Sequence, residues 1–151
     1  MDKDFFVTEM DAHSAMLYRV AYTILRNDDA CRDALQETAL KAWEKRFTLR
    51  EPQYFRTWVT RILIHTCYDA QRKRRRTVSM EAIPEPAVPP PDASLDLMLG
   101  ELPEKWRLPL VLFYSERMSY AEIAQALRLP ISTVRSRLCY AKERLRKELA
   151  E

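Results

Sequence analysis

Between residues 54 and 76, flat rings alternate with cations. Tyr54, Phe55, Trp58 and Tyr68 stand among Arg56, Arg61 and the run Arg72-Lys73-Arg74-Arg75-Arg76. That mixture suits non-covalent capture of single-stranded nucleic acid, because unpaired bases stack on aromatics while cations follow the phosphates. Phe55 and Trp58 also fall on an apolar helical stripe, where core packing competes with stacking, so Tyr54, Arg56, Thr57 and Arg61 are the better contact candidates. The basic run is a candidate grip on duplex phosphate. A second set, Ser132, Thr133, Arg135, Ser136 and Arg137, occupies the first turns of a helix whose Val134 and Leu138 face inward. Arginine reads guanine bidentately and hydroxyls bind phosphates or base edges, which is the chemistry of a helix entering a DNA major groove.

Covalent chemistry has no comparable constellation. His13 and His65 have no evident partners, and Cys31, Cys67 and Cys139 are odd in number, far apart and without a Cys-x-x-Cys pair. Neither a disulfide framework nor a zinc site is expected, and the cysteines suit buried small apolar positions. The single glycine, Gly100, excludes glycine-rich phosphate loops and disfavours turn-rich β folds. No cofactor and no metal are expected. No uncharged apolar run approaches the roughly 18 residues a membrane span requires, and the acidic start Met1-Asp2-Lys3-Asp4 does not resemble a secretory signal. The expected location is cytoplasmic, with no direct membrane insertion.

The elements that must position these groups read as all-α: two small helical bundles joined by a proline-rich linker. Residues 79–94 contain Pro84, Pro86, Pro89, Pro90 and Pro91 and no basic residue, which marks a semi-rigid spacer between domains 1–78 and 95–151. Charge follows the same division: residues 52–78 carry 7 basic and 1 acidic side chain, and 6 of the 10 bases after residue 92 lie from Ser132 onward. In the front domain, helices are predicted over about 4–26, 29–45 and from Tyr54 onward, with Asn27-Asp28-Asp29 as break and N-cap and 47–53 as a loop. In the rear domain a short helix over about 94–102 precedes one started by Pro103 and bent at Pro109. Ser119-Tyr120-Ala121-Glu122 is a capping box for a helix ending near Leu127, and Ser132 is expected to cap the long final helix. Helix, short turn, helix is the pattern of a helix-turn-helix reader. In the front domain, Asp33, Gln36, Glu37 and Lys41 make a mixed polar helix face that suits either protein docking or plain solvation.

The segments Asp33-Ala34-Leu35-Gln36-Glu37-Thr38-Ala39-Leu40-Lys41-Ala42-Trp43 and Phe55-Arg56-Thr57-Trp58-Val59-Thr60-Arg61-Ile62, with Asp69, resemble region two of the bacterial extracytoplasmic-function (ECF) sigma factors. Leu102-Pro103, Arg107, Tyr120-Ala121-Glu122-Ile123-Ala124 and Thr133-Val134-Arg135-Ser136-Arg137-Leu138 resemble their region four. The resemblance covers both domains in the right order. It implies a promoter-specificity subunit of RNA polymerase that catalyses no reaction itself. Asp33, Gln36, Glu37 and Lys41 would then dock on core polymerase. Residues 47–53, with Tyr54, Arg56, Thr57, Trp58, Arg61 and His65, would take unpaired bases of the minus-ten element. Ser132, Thr133, Arg135, Ser136 and Arg137 would read the minus-thirty-five element, and an anti-sigma factor would be a further partner. His65 stands where the family commonly has Asn, Arg128 where it usually has Gly, and Ala39 where an aromatic is frequent.

The spacer is long enough for two separated DNA sites. The 18 residues from Thr77 to Ser94 reach roughly 55 Å at about 3.1 Å each. With about 11 Å of radius per domain the span is roughly 75 Å, against roughly 70 Å for 20 base pairs. On the residues alone two alternatives stay open: an ordinary helix-turn-helix regulator with a sensing or dimerising front domain, and an enzyme acting on nucleic acid.

Overall fold

A computed structural model describes residues 1–78 and 100–150. The chain divides into two compact units, Met1–Ala87 and Val88–Glu151. The expected linker, 79–94, lies outside the described residues, as does most of the short helix expected over 94–102, of which Gly100 and Glu101 are helical.

The described residues of the front unit form four α-helices: α1 (Lys3–Ala12), α2 (Ser14–Leu25), α3 (Asp28–Glu44) and α4 (Phe55–Val78). The single helix predicted over 4–26 is two, because the chain turns at His13 (φ −103°, ψ 5°). The turn lets Phe6 and Leu17 both reach the core, at 8% and 0% exposure. Asp2 caps α1 by accepting from the Asp4 amide at 3.0 Å, and Asn27 caps α3 by accepting from Ala30 at 2.8 Å, as its position before the apolar pattern predicts. Leu17, Val20 and Ala21 of α2 pack with Cys31, Ala34 and Ala42 of α3 and with Phe55, Val59, Leu63 and Cys67 of α4. Small side chains on α3 let its backbone approach its neighbours, while each large side chain buried here contributes about 1.5–3 kcal/mol. The Tyr18 hydroxyl donates to Asp28 at 2.5 Å, tying α2 to α3, and that bond pushes the phenol's pKa up to about 12.

The rear unit contains α5 (Glu104–Leu110), a widened π turn (Val111–Ser115), α6 (Tyr120–Leu127) and α7 (Ile131–Ala150). Pro103 sits one position earlier than predicted, at the N-cap, and its carbonyl accepts from the Trp106 and Arg107 amides at 2.9 and 3.0 Å. The irregularity expected at Pro109 takes the form of the π turn that follows, where the Glu116 amide bonds to the Val111 carbonyl at 3.1 Å. The capping box is complete: Glu122 N–H donates to Ser119 Oγ at 3.1 Å and Ser119 N–H to Glu122 Oε1 at 3.0 Å. Ser132 is not the cap of α7. The helix begins at Ile131, with the Pro130 carbonyl accepting from Thr133 and Val134, which leaves Ser132 exposed inside the first turn.

Between α6 and α7 the backbone enters the left-handed region at Arg128 (φ 55°, ψ 48°), a conformation that costs a residue with a Cβ about 1 kcal/mol. Arg128→Gly is expected to raise the urea midpoint, by about 0.5–1 kcal/mol of stability. The thiols supply a second test. Cys31 and Cys67 are buried and Cys139 is exposed, so a thiol reagent labels one cysteine in the native chain and three after denaturation. Burial pushes the Cys31 thiol from 9.0 up to about 11. Between those values the unfolded chain ionises first, so stability falls as pH rises through this window.

Candidate nucleic-acid interface

The inward side of α4 is set by Phe55, Val59, Ile62, Leu63, Thr66 and Cys67, all buried. Helical spacing then places Trp58, Arg61, His65, Tyr68 and Arg72 along one outer stripe. Arg61, His65 and Arg72 are exposed, and Trp58 and Tyr68 half-buried. The basic run continues the same helix for another turn, with Arg72, Lys73, Arg74, Arg75 and Arg76 all exposed and Arg72 paired to Asp69. Tyr54 precedes the helix in a short 3₁₀ turn, Pro52–Tyr54, and is 58% exposed. Arg56 is half-buried. Thr57, expected among the contact residues, is buried, with 9% of its surface exposed, so it stands apart from the outer stripe.

The segment before α4 is held in shape by its own aromatics. Arg46 lies over the Trp43 ring at 4.1 Å and the Phe47 ring at 4.5 Å, and its Nη1 donates to the Trp43 carbonyl at 2.8 Å. Trp58 Nε1 donates to Thr48 Oγ1 at 2.9 Å, fastening the segment to α4. Phe47 itself is 77% exposed, so a flat ring faces solvent near one end of the stripe.

On α3, Asp33, Gln36, Glu37, Leu40 and Glu44 form one exposed stripe opposite the buried Ala34, Thr38 and Ala42. Lys41 is set aside from it. Half-buried, it pairs with Glu37 at 3.2 Å and reaches Thr66 of α4 at 3.4 Å, so it links two helices. In the rear unit, Val134, Leu138 and Ala141 bury one side of α7, while Ser132, Arg135 and Ser136 are exposed and Thr133 and Arg137 half-buried. Arg135 lies over the Tyr120 ring at 5.9 Å. Among the described residues no group of His, Cys, Asp and Glu could hold a metal ion, and no helix is long and apolar enough to cross a membrane.

Comparison with known proteins matches this arrangement. The sigma-70 region 2 family model covers residues 10–77 and the sigma-70 region 4 model residues 92–145. The ECF sigma-E factor of Salmonella typhimurium is 30% identical over 132 residues, spanning 74% of this chain and 69% of its own. This chain belongs to the ECF RNA polymerase sigma factors. SigW of Bacillus subtilis, another ECF sigma factor, is 28% identical over 99% of this chain and 91% of its own. The sigma factor RpoE of Bartonella quintana, solved with the anti-sigma factor NepR, superposes with a TM-score of 0.83 at 28% identity, covering 99% of this chain and 98% of its own.

As a sigma factor, the protein binds core RNA polymerase and directs promoter recognition and transcription initiation. Sequence reasoning had not singled out Leu40 or Arg46, nor Phe47 as a side chain. Leu40 and Phe47 could have been found as large apolar residues off the buried stripe, but the Arg46 sandwich needs coordinates. Trp58→Phe keeps the ring and removes the bond to Thr48. The sigma factor is expected to lose up to about 1 kcal/mol of stability, with faster amide exchange over 46–54 as the measurement.

Proposed function

We propose that the three exposed surfaces divide the work of initiation. The acidic and polar stripe of α3, centred on Asp33, Gln36 and Glu37, docks on core polymerase, with Lys41 holding α3 against α4 behind it. The outer stripe of α4, with Tyr54, Arg56, Trp58, Arg61 and His65, takes the unpaired strand of the minus-ten element, and Arg72–Arg76 grip phosphate upstream of it. Ser132, Thr133, Arg135, Ser136 and Arg137 of α7 read the minus-thirty-five element as duplex.

The observation that supports this reading most directly is the charge separation in the front unit. Acidic side chains crowd the outward face of α3 while cations and rings crowd that of α4. A nucleic acid approaching the basic stripe is therefore repelled from the α3 stripe, which is left to a protein partner. An anti-sigma factor is a further proposed partner, supported by the RpoE–NepR complex; where such a partner is membrane-bound, it would hold this chain at the inner face of the membrane.

Transcription from a genomic library by core polymerase plus this protein tests the function. Glu37→Lys is expected to weaken core binding at least tenfold with little change in promoter choice. Arg135→Ala is expected to leave core binding intact and relax selection in the upstream element, at about 1–3 kcal/mol for a lost base contact. Equal core affinity and equal promoter selection in both variants would overturn the assignment.

A further inference from the structure

The irregular turn after α5 and the start of α6 bring three rings together. Phe113 and Tyr114 lie in the π turn, Val111–Ser115, with centroids 4.9 Å apart and planes at 88°. Tyr120 is the first residue of α6, directly after the Ser119 cap, and its ring stands 5.1 Å from Phe113 at 34°. This aromatic ledge takes two cations of α7. Lys142 Nζ lies 5.7 Å from the Phe113 ring and 5.4 Å from Tyr114, and the Arg135 guanidinium lies 5.9 Å from Tyr120. Tyr120, Arg135 and Lys142 line one open groove of about 240 Å³.

The two cations are held differently. Lys142 is half-buried against two rings, whereas Arg135 is exposed and rests on one. Among the described residues Arg135 makes no ion pair with a carboxylate. Glu143, the carboxylate of the groove, stands eight residues further along α7, roughly 12 Å away at about 1.5 Å per residue. A carboxylate would occupy the N–H groups of the guanidinium, while a ring attracts the cation through its π face and leaves all five donors free. Confining a long exposed side chain before it binds also removes part of the entropy cost of the contact it later makes. We propose that Tyr120, backed by Phe113, is a positioning residue for promoter selection: it aims Arg135 in advance and leaves the guanidinium donors to the base pair. The inference rests on the reading that α7 enters the major groove with Arg135 toward the bases. In it the π turn acquires a task, since it supplies the ring behind Tyr120.

The test uses full-length protein with core polymerase and promoters selected by the wild-type holoenzyme from a random-sequence pool. Arg135→Ala first identifies the base pair whose preference depends on that guanidinium. Tyr120→Gln and Tyr120→Leu remove the ring at a half-buried position. Both are expected to lower the preference at that base pair about two- to fivefold and to leave the other positions unchanged. Tyr120→Phe should keep the wild-type preference. Each preference is a ratio of affinities within one preparation, so a loss of folded protein cancels. Added to Arg135→Ala, Tyr120→Leu should cost no further selection. In the free protein, the Tyr120 ring current should shift the Arg135 δ-protons upfield in the wild type and in Tyr120→Phe, and not in Tyr120→Gln. An unchanged preference in both ringless variants would overturn the proposal, as would a loss spread evenly over all positions or a Tyr120→Phe variant that behaves like Tyr120→Leu. Failure of the underlying reading looks different: Arg135→Ala itself would leave selection unchanged while the ring-current shift persists, and the proposed role of Tyr120 would fall with it.

Discussion

The burial of Phe55 is the constraint on which the front unit turns. At 1% exposure it begins α4, and the rings of Phe5, Phe6, His13 and Trp58 gather round it at centroid distances of 5.6–6.2 Å. A large aromatic so enclosed costs about 3–5 kcal/mol to truncate, a large share of what stabilises a small domain. Because it is the first residue of the helix, it fixes the rotation of α4 at the end where the outer stripe starts. Arg61, His65 and Arg72 then face outward because Phe55 faces inward, and the exposed stripe is the geometric complement of the core.

The rear unit reaches a similar result by other means. It relies on helix boundaries set at defined points: Pro103 at the start of α5, the Ser119–Glu122 box at α6, and the left-handed Arg128 before α7. The strain at Arg128 is small beside the burial of Ile123, Val134 and Leu138, which holds α6 against α7. The Arg107 side chain, buried at 8%, donates to the carbonyls of Gly100 and Leu102 and secures the entry to α5. The buried guanidinium thus finds its acceptors in the backbone.

The proposed division of surfaces depends on keeping opposite charges on separate faces. Lys41 shows how the separation is maintained in the front unit. Its charge is drawn toward Glu37 and Thr66, so it does not break the outward stripe of α3. At the surface an ion pair of this kind contributes under about 1 kcal/mol. Its effect lies in placement. Arg46 is treated likewise, folded between two rings where its charge orders the segment leading to α4.

Much of this was legible in the chain itself. Apolar spacing from Met16 to Ile24 and from Phe55 to Thr66 set the helices, Asn27 and Ser119 announced their caps, and the motifs named the family. These features are local, and helical periodicity and capping depend only on residues three or four apart. What the tertiary structure decided was which side chains of mixed character turn in or out. The break at His13, the burial of Thr57, the capture of Lys41 by Thr66 and the start of α7 at Ile131 each depend on packing or backbone hydrogen bonds. Periodicity leaves a polar residue near the edge of a stripe undetermined, and the neighbouring helix settles it by what space and which partner it offers.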